Sequence, residues 1–526
     1  MNEVELKLAV DRDALQQALA RTDFADFSLK AEKTRKLQSI YFDTPDKRLR
    51  NAATTLRIRE TGSGRVQTLK VGTGVIRGLS STREFELPTQ ETEPNLSLID
   101  DAAVRDRVQS LLNGATIAPR FETQIDRVTR DFTRNDNTEI EVAFDHGKAI
   151  AQGHEQDICE IELELKSGPV SQLYDLAAHL LGDIPFDFSS QSKAEIGHGL
   201  ADRLSGDKAV DLTATAAPAG KIELKTNQTA EDALVSILSS CLTQIAGNRA
   251  RLIKHADNER IEFTHQMRVG LRRLRSALKV YQPFIADSGL FEMGQEAQRL
   301  ATYLGNLRDL DVMTSEIIGP LHERSPDGIE FQGLMIALDS ARDTVRQDVI
   351  AQLATARANS FILQLARYIQ TREWREEISP EACEALDMPA LEFANYALRK
   401  RWKACAKRAK HLETLTIEER HELRKALKKL RYAIEFFKTL YDKEQTGIFI
   451  KSLKKLQDVF GYLNDVAMTD RLVAMDLPAA PSGQQLLPAI GFVAGWHKAR
   501  ADMAWSEAQH RWKKLKHTPR VWRHDD

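Results

Sequence analysis

Acidic and basic residues alternate with apolar ones in several short segments of the N-terminal half of the chain. The first segment places Glu3, Glu5 and Lys7 at every second position, with apolar residues between them. Because neighbouring side chains of a β-strand point to opposite faces, a strand here would present two carboxylates and one amine on a single face. Such a face is either the solvated rim of a sheet or part of an internal ion-binding wall.

Three further segments repeat this alternation and carry charges of both signs. Their charged positions are Arg57 and Arg59, Glu84 and Glu86, and Glu160, Glu162 and Glu164. Guanidinium and ammonium groups suit phosphate oxygens, whereas carboxylates suit Mg²⁺ and Mn²⁺. A surface that combines both sets therefore indicates a ligand made of a polyanion and a divalent metal ion.

The elements that must position these residues are short strands. Alternation is found in eight segments, residues 3–10, 37–41, 55–60, 65–70, 82–87, 121–129, 139–144 and 158–166, and helical spacing in residues 11–20, 102–112 and 170–181. This pattern predicts an α+β domain with a mainly antiparallel sheet. An eight-stranded barrel is wide enough inside for one small ligand. Its charged faces can point inward only if helices cover the apolar outer faces.

An ordered set of motifs in this region resembles the CYTH domain, the fold of the triphosphate tunnel metalloenzymes. The motifs are Glu3-x-Glu5-x-Lys7, Tyr41-Phe-Asp-Thr-Pro45, Leu56-Arg-Ile-Arg59, Lys70, Arg127, Glu141 with Asp145, Glu160-x-Glu162-x-Glu164, and Ser192-Lys193. The resemblance covers about residues 1 to 200. It implies an antiparallel eight-stranded tunnel barrel with external helices, which hydrolyses triphosphates with Mg²⁺ or Mn²⁺.

The resemblance also implies roles for individual residues. Residues expected to bind the triphosphate are Lys7, Arg57, Arg59, Arg127 and Lys193, and those expected to hold metal are Glu3, Glu5, Glu160, Glu162 and Glu164. Glu3, Glu5 and Lys70 would be catalytic, with one of the two carboxylates activating the attacking water and Lys70 neutralising the leaving group.

Several substrates are compatible with this fold. Members of the family include thiamine-triphosphatases, nucleoside-triphosphatases and class IV adenylate cyclases, and cyclisation would need a purine pocket. The sequence shows no distinct aromatic or polar signature for such a pocket, whereas inorganic triphosphate needs only phosphate contacts. We therefore expect hydrolysis of inorganic triphosphate to diphosphate and phosphate. A tunnel that binds polyphosphate without turnover is the alternative, although it would not need the carboxylates.

The overall net charge of −2 hides an acidic and a basic half. Residues 1–204 carry a net charge of −8 and the remainder a net charge of +6. Between them, residues 205–221 are rich in Ala, Thr and Gly without apolar periodicity, which predicts a linker. The resulting division is a tunnel domain (1–204), a linker (205–221), a helical domain (222–515) and a tail (516–526).

Neither secretion nor membrane spanning is expected from the sequence. The four cysteines are scattered and form no Cys-x-x-Cys pair. No apolar run approaches eighteen residues, and the N-terminus has no basic-then-apolar leader. These features predict a cytoplasmic protein that does not bind membranes.

The basic half contains an internal repeat. The segment beginning at His265 matches the segment beginning at His421, and the pair Gly305 and Asp309 matches Gly461 and Asp465, both at an offset of 156 residues. Helical periodicity runs through both copies, so we expect an all-α, internally duplicated bundle.

On each repeated helix a cationic stripe lies beside an apolar stripe. The residues predicted to bind an anion are His265, Arg268, Arg272, Arg273 and Arg275 in the first copy, and His421, Arg424, Lys428 and Arg431 in the second. One such stripe could be a solvated basic face, but its duplication and the scarcity of Glu favour an anion site. If the copies pack about a pseudo-twofold axis, the stripes could face one another.

This pattern resembles the CHAD domain over about residues 225 to 515. Its recurring helix motif is His-x-x-Arg-Val-x-x-Arg-Arg-Leu-Arg, from which the second copy departs with Lys425, Lys428 and Lys429. The resemblance implies an all-helical module that binds inorganic polyphosphate. Nucleic acid is an unlikely partner on this pattern, because aromatic residues that could stack on bases are sparse near the stripes.

Overall fold

The computed structural model describes residues 2–61, 64–76, 78–189, 191–204, 215–254, 260–285, 288–323, 328–376, 378–475, 477 and 486–522. The chain forms two compact units. The barrel unit comprises Met1–Thr215 and Ala354–Thr371, and the helical unit comprises Ala216–Leu353 and Arg372–Asp526. Most of the predicted linker, residues 205–214, lies outside the described residues, as do residues 523–526 of the predicted tail.

The barrel unit is built on one antiparallel sheet. Its strands are β1 (Asn2–Ala9), β2 (Ser28–Asp43), β3 (Thr54–Thr61), β4 (Gly64–Ile76), β5 (Leu79–Thr89), β6 (Ala118–Thr133), β7 (Glu139–Ala151), β8 (His154–Ser167) and β9 (Asp187–Phe188). The sheet order is β5-β4-β3-β2-β6-β7-β8-β1-β9, and β5 also pairs with β1. This last pairing closes strands β1 to β8 into a barrel, as the sequence predicts, and the two-residue β9 extends the edge of β1.

Helices cover the apolar outer faces of the barrel. The helices of this part of the chain are α1 (Arg12–Leu19), α2 (Arg48–Asn51), α3 (Ala102–Leu112), α4 (Ser171–Leu181) and α5 (Lys193–Leu204). Val104 and Val108 of α3 pack in one buried cluster with Leu56 of β3 and Leu69 of β4. On another side, α4 packs against β8 and β1. The charged faces of the strands are therefore free to point inward, which confirms the expected inverted arrangement.

Helix α5 packs on the inner face at one end of the barrel. Leu200 and Ala201 of α5 share a buried cluster with Ala149 of β7 and Ile158 of β8. These strand residues have the same parity as Glu141 and Glu160, so they lie on the same inner face. Gly197 permits the close approach, because a Cβ at this position would lie 2.1 Å from the Phe121 ring. The inner surface thus changes from charged to apolar where α5 closes it.

All regular elements of the second half among the described residues are helices. They are α6 (Ala230–Lys254), α7 (Arg260–Tyr281), α8 (Ser288–Val312), α9 (Gly319–His322), α10 (Gln332–Leu353), α11 (Ala356–Thr371), α12 (Pro380–Asp387), α13 (Ala390–Arg408), α14 (Ile417–Phe437), α15 (Lys443–Ala474) and α16 (Leu487–His517). The two copies of the repeated motif lie on α7 and α14, which contact each other. Helix α11 belongs to the barrel unit, whereas the other helices named here belong to the helical unit.

In the part of the chain that the structure describes, none of these helices combines the length and the apolar character needed to cross a membrane.

Candidate active site and cationic seam

All eight strands of the closed barrel contribute to one internal cavity of about 510 Å³. Its charged lining residues are Glu5, Lys7, Arg35, Arg50, Arg57, Arg59, Lys70, Glu84, Glu86, Arg127, Glu141, Glu162, Glu164, Lys166, Lys193, Glu195 and His198. The alternation of the sequence therefore brings most of the predicted tunnel residues to a single space. The side chain of Glu3 lies outside the described residues, although its backbone belongs to β1.

One wall of the cavity is cationic and incompletely paired. Arg59 Nε donates to Ser39 Oγ at 3.2 Å, and burial, with Arg57 close by, lowers the pKa of Arg59 to about 10. Arg57 contacts Tyr41 Oη and Glu84 only at 3.5 Å, and its buried Nε has no hydrogen-bond partner among the described residues. These guanidinium groups have donors to spare for an anion.

Lys193 lies at the centre of three buried carboxylates. Its Nζ is 2.6 Å from Asp145 and 2.9 Å from Glu162, and it also pairs with Glu160. Arg127 forms a fork on Asp145, with bonds of 2.7 and 2.6 Å, and reaches Glu162 at 2.6 Å. Burial alone would raise the pKa of the Glu162 carboxyl, but Lys193, Lys7 and Arg127 hold it well below its usual value. The cluster is a compact network of alternating charges.

Two groups of carboxylates have donors suited to a divalent metal. Oxygens of Asp145, Glu160 and Glu162 lie within 4.8 Å of one another, but the Lys193 ammonium group already contacts all three. The second group is a row across three neighbouring strands, in which Glu164 of β8 is in register with both Glu5 of β1 and Glu141 of β7. All three members of this carboxylate row line the cavity.

Lys166 and Lys70 neutralise the more open carboxylates. Lys166 Nζ is 2.7 Å from Glu164 and 3.8 Å from Glu141, and its side chain is 43% exposed. Lys70 of β4 faces the cavity from another wall, where its Nζ is 2.9 Å from Glu84. A partly exposed lysine can exchange its carboxylate for another ligand more readily than the buried Lys193 can.

Sequence reasoning missed several cavity residues. Arg35 lies an even number of residues from Tyr41 on β2, so both side chains point to the same face. The alternation would have identified Arg35 if the predicted strand had been extended to include it. Arg50 lies on the four-residue α2, which is too short to show periodicity, and it is held by an ion pair with Asp202. His198 lies on α5, which the sequence did not predict, and burial lowers its pKa to about 4.

A second large cavity, of about 1270 Å³, lies in the helical unit. Its cationic lining consists of Arg268, Arg272, Arg275 and Lys279 from α7, Arg299 from α8, and Arg424, Lys425, Lys428 and Lys429 from α14. The two cationic stripes therefore meet at one cavity, and we call these α7 and α14 residues the cationic seam. Burial, with Arg424 and Arg272 nearby, lowers the pKa of Lys428 to about 6.

Not every residue predicted for the anion site lines this cavity. Arg273 is only 4% exposed, donates to Gln244 at 2.7 Å and to Ser240 at 3.0 Å, and lies over the Phe436 ring. It lies in the core and not in the lining of this cavity, so its assignment to the anion site stays a prediction. His265, His421 and Arg431 lie on the repeated helices but outside the cavity lining, and Arg431 pairs with Glu435 at 3.6 Å.

Comparison with known families accounts for both halves. The family model of the CYTH domain matches residues 1–185, and that of the CHAD domain matches residues 236–474. The chain contains a CYTH domain followed by a CHAD domain. The motif resemblances found in the sequence are thereby confirmed for both halves.

An inorganic triphosphatase of Haemophilus influenzae is 36% identical over 207 residues, which cover 39% of this chain and 56% of that protein. The chain thus spans little more than half the length of this curated relative.

Solved structures also match the chain. The CHAD domain of the plant Ricinus communis is 26% identical, with a TM-score of 0.49, and the match covers 58% of this chain and 98% of that one. A Hippeastrum protein described as having a dominant triphosphatase activity is 22% identical, with a TM-score of 0.29, covering 39% and 96%.

Proposed function

We propose that the CYTH tunnel hydrolyses inorganic triphosphate to diphosphate and phosphate with Mg²⁺ or Mn²⁺. The observation that carries this proposal is a cavity inside the closed barrel, with an under-paired cationic wall and a row of carboxylates on the neighbouring strands. Phosphoryl transfer depends mainly on positioning and charge stabilisation, which such a lining provides. The relative from Haemophilus influenzae supports the triphosphate as substrate.

The cations of the cavity would bind and orient the phosphate chain. Arg57 and Arg59 offer spare guanidinium donors, and Arg127, Lys7 and Lys193 surround the adjoining buried carboxylates. Lys70 would neutralise the leaving group after releasing Glu84. Each of these groups stabilises the negative charge that spreads over the phosphate oxygens in the transition state.

The carboxylate row is the better of the two metal sites. Glu164 and Glu141 face the cavity beside the partly exposed Lys166, and Glu5 of the same row pairs with Lys7 at 2.9 Å. A metal among Asp145, Glu160 and Glu162 would have to displace the buried Lys193 from all three carboxylates. A divalent ion would neutralise phosphate oxygens and lower the pKa of a bound water. We assign to Glu5 the acceptance of the proton from the attacking water, because its carboxylate lies within the row.

The cavity favours an inorganic substrate over an organic one. Among the described lining residues, Tyr41 and His198 are the only rings. The Tyr41 ring stacks on Phe121 at 4.6 Å, and Phe121 also packs edge-on against His198. Because one face of Tyr41 is taken up by Phe121, the described lining offers little aromatic surface for a nucleobase or a thiamine ring.

Side-by-side turnover of tripolyphosphate, thiamine triphosphate and ATP, each with Mg²⁺ and with Mn²⁺, tests this proposal. We expect phosphate release to be fastest with tripolyphosphate, and ATP to give no cyclic AMP. Failure to turn over any triphosphate with either metal would exclude the enzyme and leave a tunnel that only binds phosphate chains.

The CHAD domain is proposed to bind inorganic polyphosphate along the cationic seam. Among the described lining residues of that cavity Glu422 is the one acidic side chain, and it is paired with Lys425, so cations far outnumber carboxylates in the lining. The lowered pKa of Lys428 is a sign of this excess. Binding of long-chain polyphosphate should weaken steeply as salt rises, since counterions are released on binding. A cytoplasmic location stays a prediction from the sequence.

A further inference from the structure

Helix α11 belongs to the barrel unit although its sequence lies in the middle of the CHAD domain. The chain leaves the helical unit after Leu353, forms α11, and returns to the helical unit at Arg372. The buried apolar residues of α11 are Ala358, Phe361, Ile362, Leu363, Leu365, Ala366 and Ile369. The helix packs against α4, which packs on β1 and β8 as well. A piece of the CHAD sequence is thus part of the tunnel's own support.

Asn359 makes a buried polar link from α11 to the barrel. This residue is 1% exposed, and its Nδ2 donates to the carbonyl oxygens of Gly182 at 2.7 Å and Ile184 at 2.8 Å. Gly182 ends α4 with a φ of +54°, so the turn after the helix presents carbonyls that its own backbone does not satisfy here. A second link joins Arg367 to Asp175 at 2.8 Å.

The turn held by Asn359 leads directly to the tunnel. Two residues beyond Ile184, the buried Phe186 is followed by β9, in which Phe188 pairs with Leu8 of β1. The next backbone amide, that of Ser189, donates to the carbonyl of Lys7 at 3.0 Å. Helix α5 then begins at Lys193, whose ammonium group lies among the buried carboxylates. The path from the turn to Lys193 is short and is anchored beside Lys7.

We infer that Asn359 is a positioning residue for the tunnel, because it fixes the turn after α4 and with it the segment that carries Lys193. Only the expected change in KM rests on the proposed triphosphatase function; the positioning role itself does not. Since Asn359 acts through this segment and does not touch the cavity, its loss changes how well Lys193 is placed for phosphate binding and leaves the cationic seam unaffected.

The test uses the full chain with the substitution Asn359→Leu, which keeps the side-chain size and removes both donors. We expect the KM for tripolyphosphate to rise about fivefold or more, with a smaller change in kcat, since Lys193 is assigned to substrate binding. Retention of long-chain polyphosphate by the CHAD domain should not change. If N359L fails to fold, Arg367→Leu removes a more exposed link and should raise KM in the same direction by a smaller factor.

Asn248→Leu is a matched control. Asn248 is also fully buried, and its Nδ2 donates to the carbonyls of Ala217 at 2.8 Å and Gln244 at 2.6 Å, but it lies in the helical unit. Its loss removes the same kind of bond without touching the turn after α4. An equal rise of KM in N248L and N359L would show a general loss of stability and would overturn the positioning role.

Hydrogen exchange separates this inference from the proposed activity. Backbone amides of residues 183–184, 186–189 and 191–193 should exchange faster in N359L than in the unsubstituted protein, and N248L should leave them unchanged. This readout needs no turnover, so it tests the positioning role even if no triphosphate proves to be a substrate. Unchanged exchange in this segment of folded N359L would overturn the inference whatever the kinetics show.

Discussion

Lys428 is surrounded by cations from both copies of the CHAD repeat. Burial and the neighbouring Arg424, Arg272 and Arg268 lower its pKa from the ordinary 10.5 to about 6. A polyanion in the seam would favour the charged form and draw a proton onto Lys428.

Polyphosphate affinity should therefore rise as the pH falls from 8 to 6. Binding takes up a proton wherever Lys428 is neutral in the free protein and charged in the complex, so the dependence is at most about tenfold per pH unit. Titrations of long-chain polyphosphate at constant ionic strength measure it. Lys428→Met should remove most of this dependence, whereas Lys425→Met, an exposed lysine of the same helix, should keep it; equal slopes in both variants would contradict the prediction.

The two carboxylate groups of the tunnel can be separated by their metal requirement. Glu164→Gln removes a member of the carboxylate row, so the Mg²⁺ or Mn²⁺ concentration for half-maximal turnover should rise about tenfold or more. Glu160→Gln removes a partner of Lys193 and should lower activity without a comparable change in the metal requirement. Phosphate release measured over a range of concentrations of each metal tests this prediction. A larger rise of the metal requirement in E160Q than in E164Q would place the metal beside Lys193.

At the scale of the element, α7 has two cationic faces, one lining the cavity and one facing the core. Arg272 lines the seam, while Arg273 one position later faces Ser240 and Gln244. Successive residues of a helix are 100° apart, so neighbouring arginines can point to a cavity and to the core. Sequence periodicity shows that the helix has two faces. It does not show that the face carrying Arg273 meets polar side chains in the core.

Substitutions at these neighbours should have opposite effects. Arg273→Leu should lower the free energy of unfolding by about 1–3 kcal/mol, because Gln244 and Ser240 lose their partner, and should spare polyphosphate retention. Arg272→Leu should weaken retention and change stability little. Chemical denaturation and polyphosphate binding, measured on the same preparations, test both statements. Loss of polyphosphate retention in a fully folded R273L would show that Arg273 takes part in anion binding.

The strands show how far local patterns predict the barrel. Seven of the eight predicted strand segments lie within β2 to β8, and the first, residues 3–10, exceeds β1 by one residue, because alternation is the direct signature of a two-faced strand. The prediction was too short for β2, since nearly all of residues 28–36 are exposed and no apolar face marks them. Helix α5 was missed, because Gly197 and Gly199 weaken helical propensity in a segment whose burial depends on the barrel around it.

At the scale of the molecule, the sequence predicts two kinds of structure but not which unit each helix joins. The charge reversal and the change from strand to helix periodicity place the division near residue 205. Helix α11 has an ordinary amphipathic pattern, and its apolar face could pack on any exposed apolar surface. Its place in the barrel unit follows from long-range contacts with α4, which no local pattern records.

Charge reversal of three seam arginines and of the neighbouring Arg431 on α14 should separate the two proposed activities. The quadruple change of Arg268, Arg272, Arg424 and Arg431 to Glu should eliminate retention of long-chain polyphosphate by electrostatic repulsion, while tripolyphosphate turnover stays within about twofold. Binding to immobilised polyphosphate and phosphate release measure the two effects. A variant with all four residues changed to Gln controls for the loss of charge alone, and full retention by the Glu variant would show that the seam is not the binding surface.

Because helix α5 packs on the inner face at one end of the barrel, we expect the tunnel to be blind at that end. In the described part of the barrel, a linear chain of phosphates could reach the carboxylate row only by entering with its terminus first. Cleavage would then shorten a long chain from its end and would leave internal bonds untouched. The fragment nearer the mouth would also have to depart before the one held deeper, so the order of product release would be dictated by the shape of the barrel.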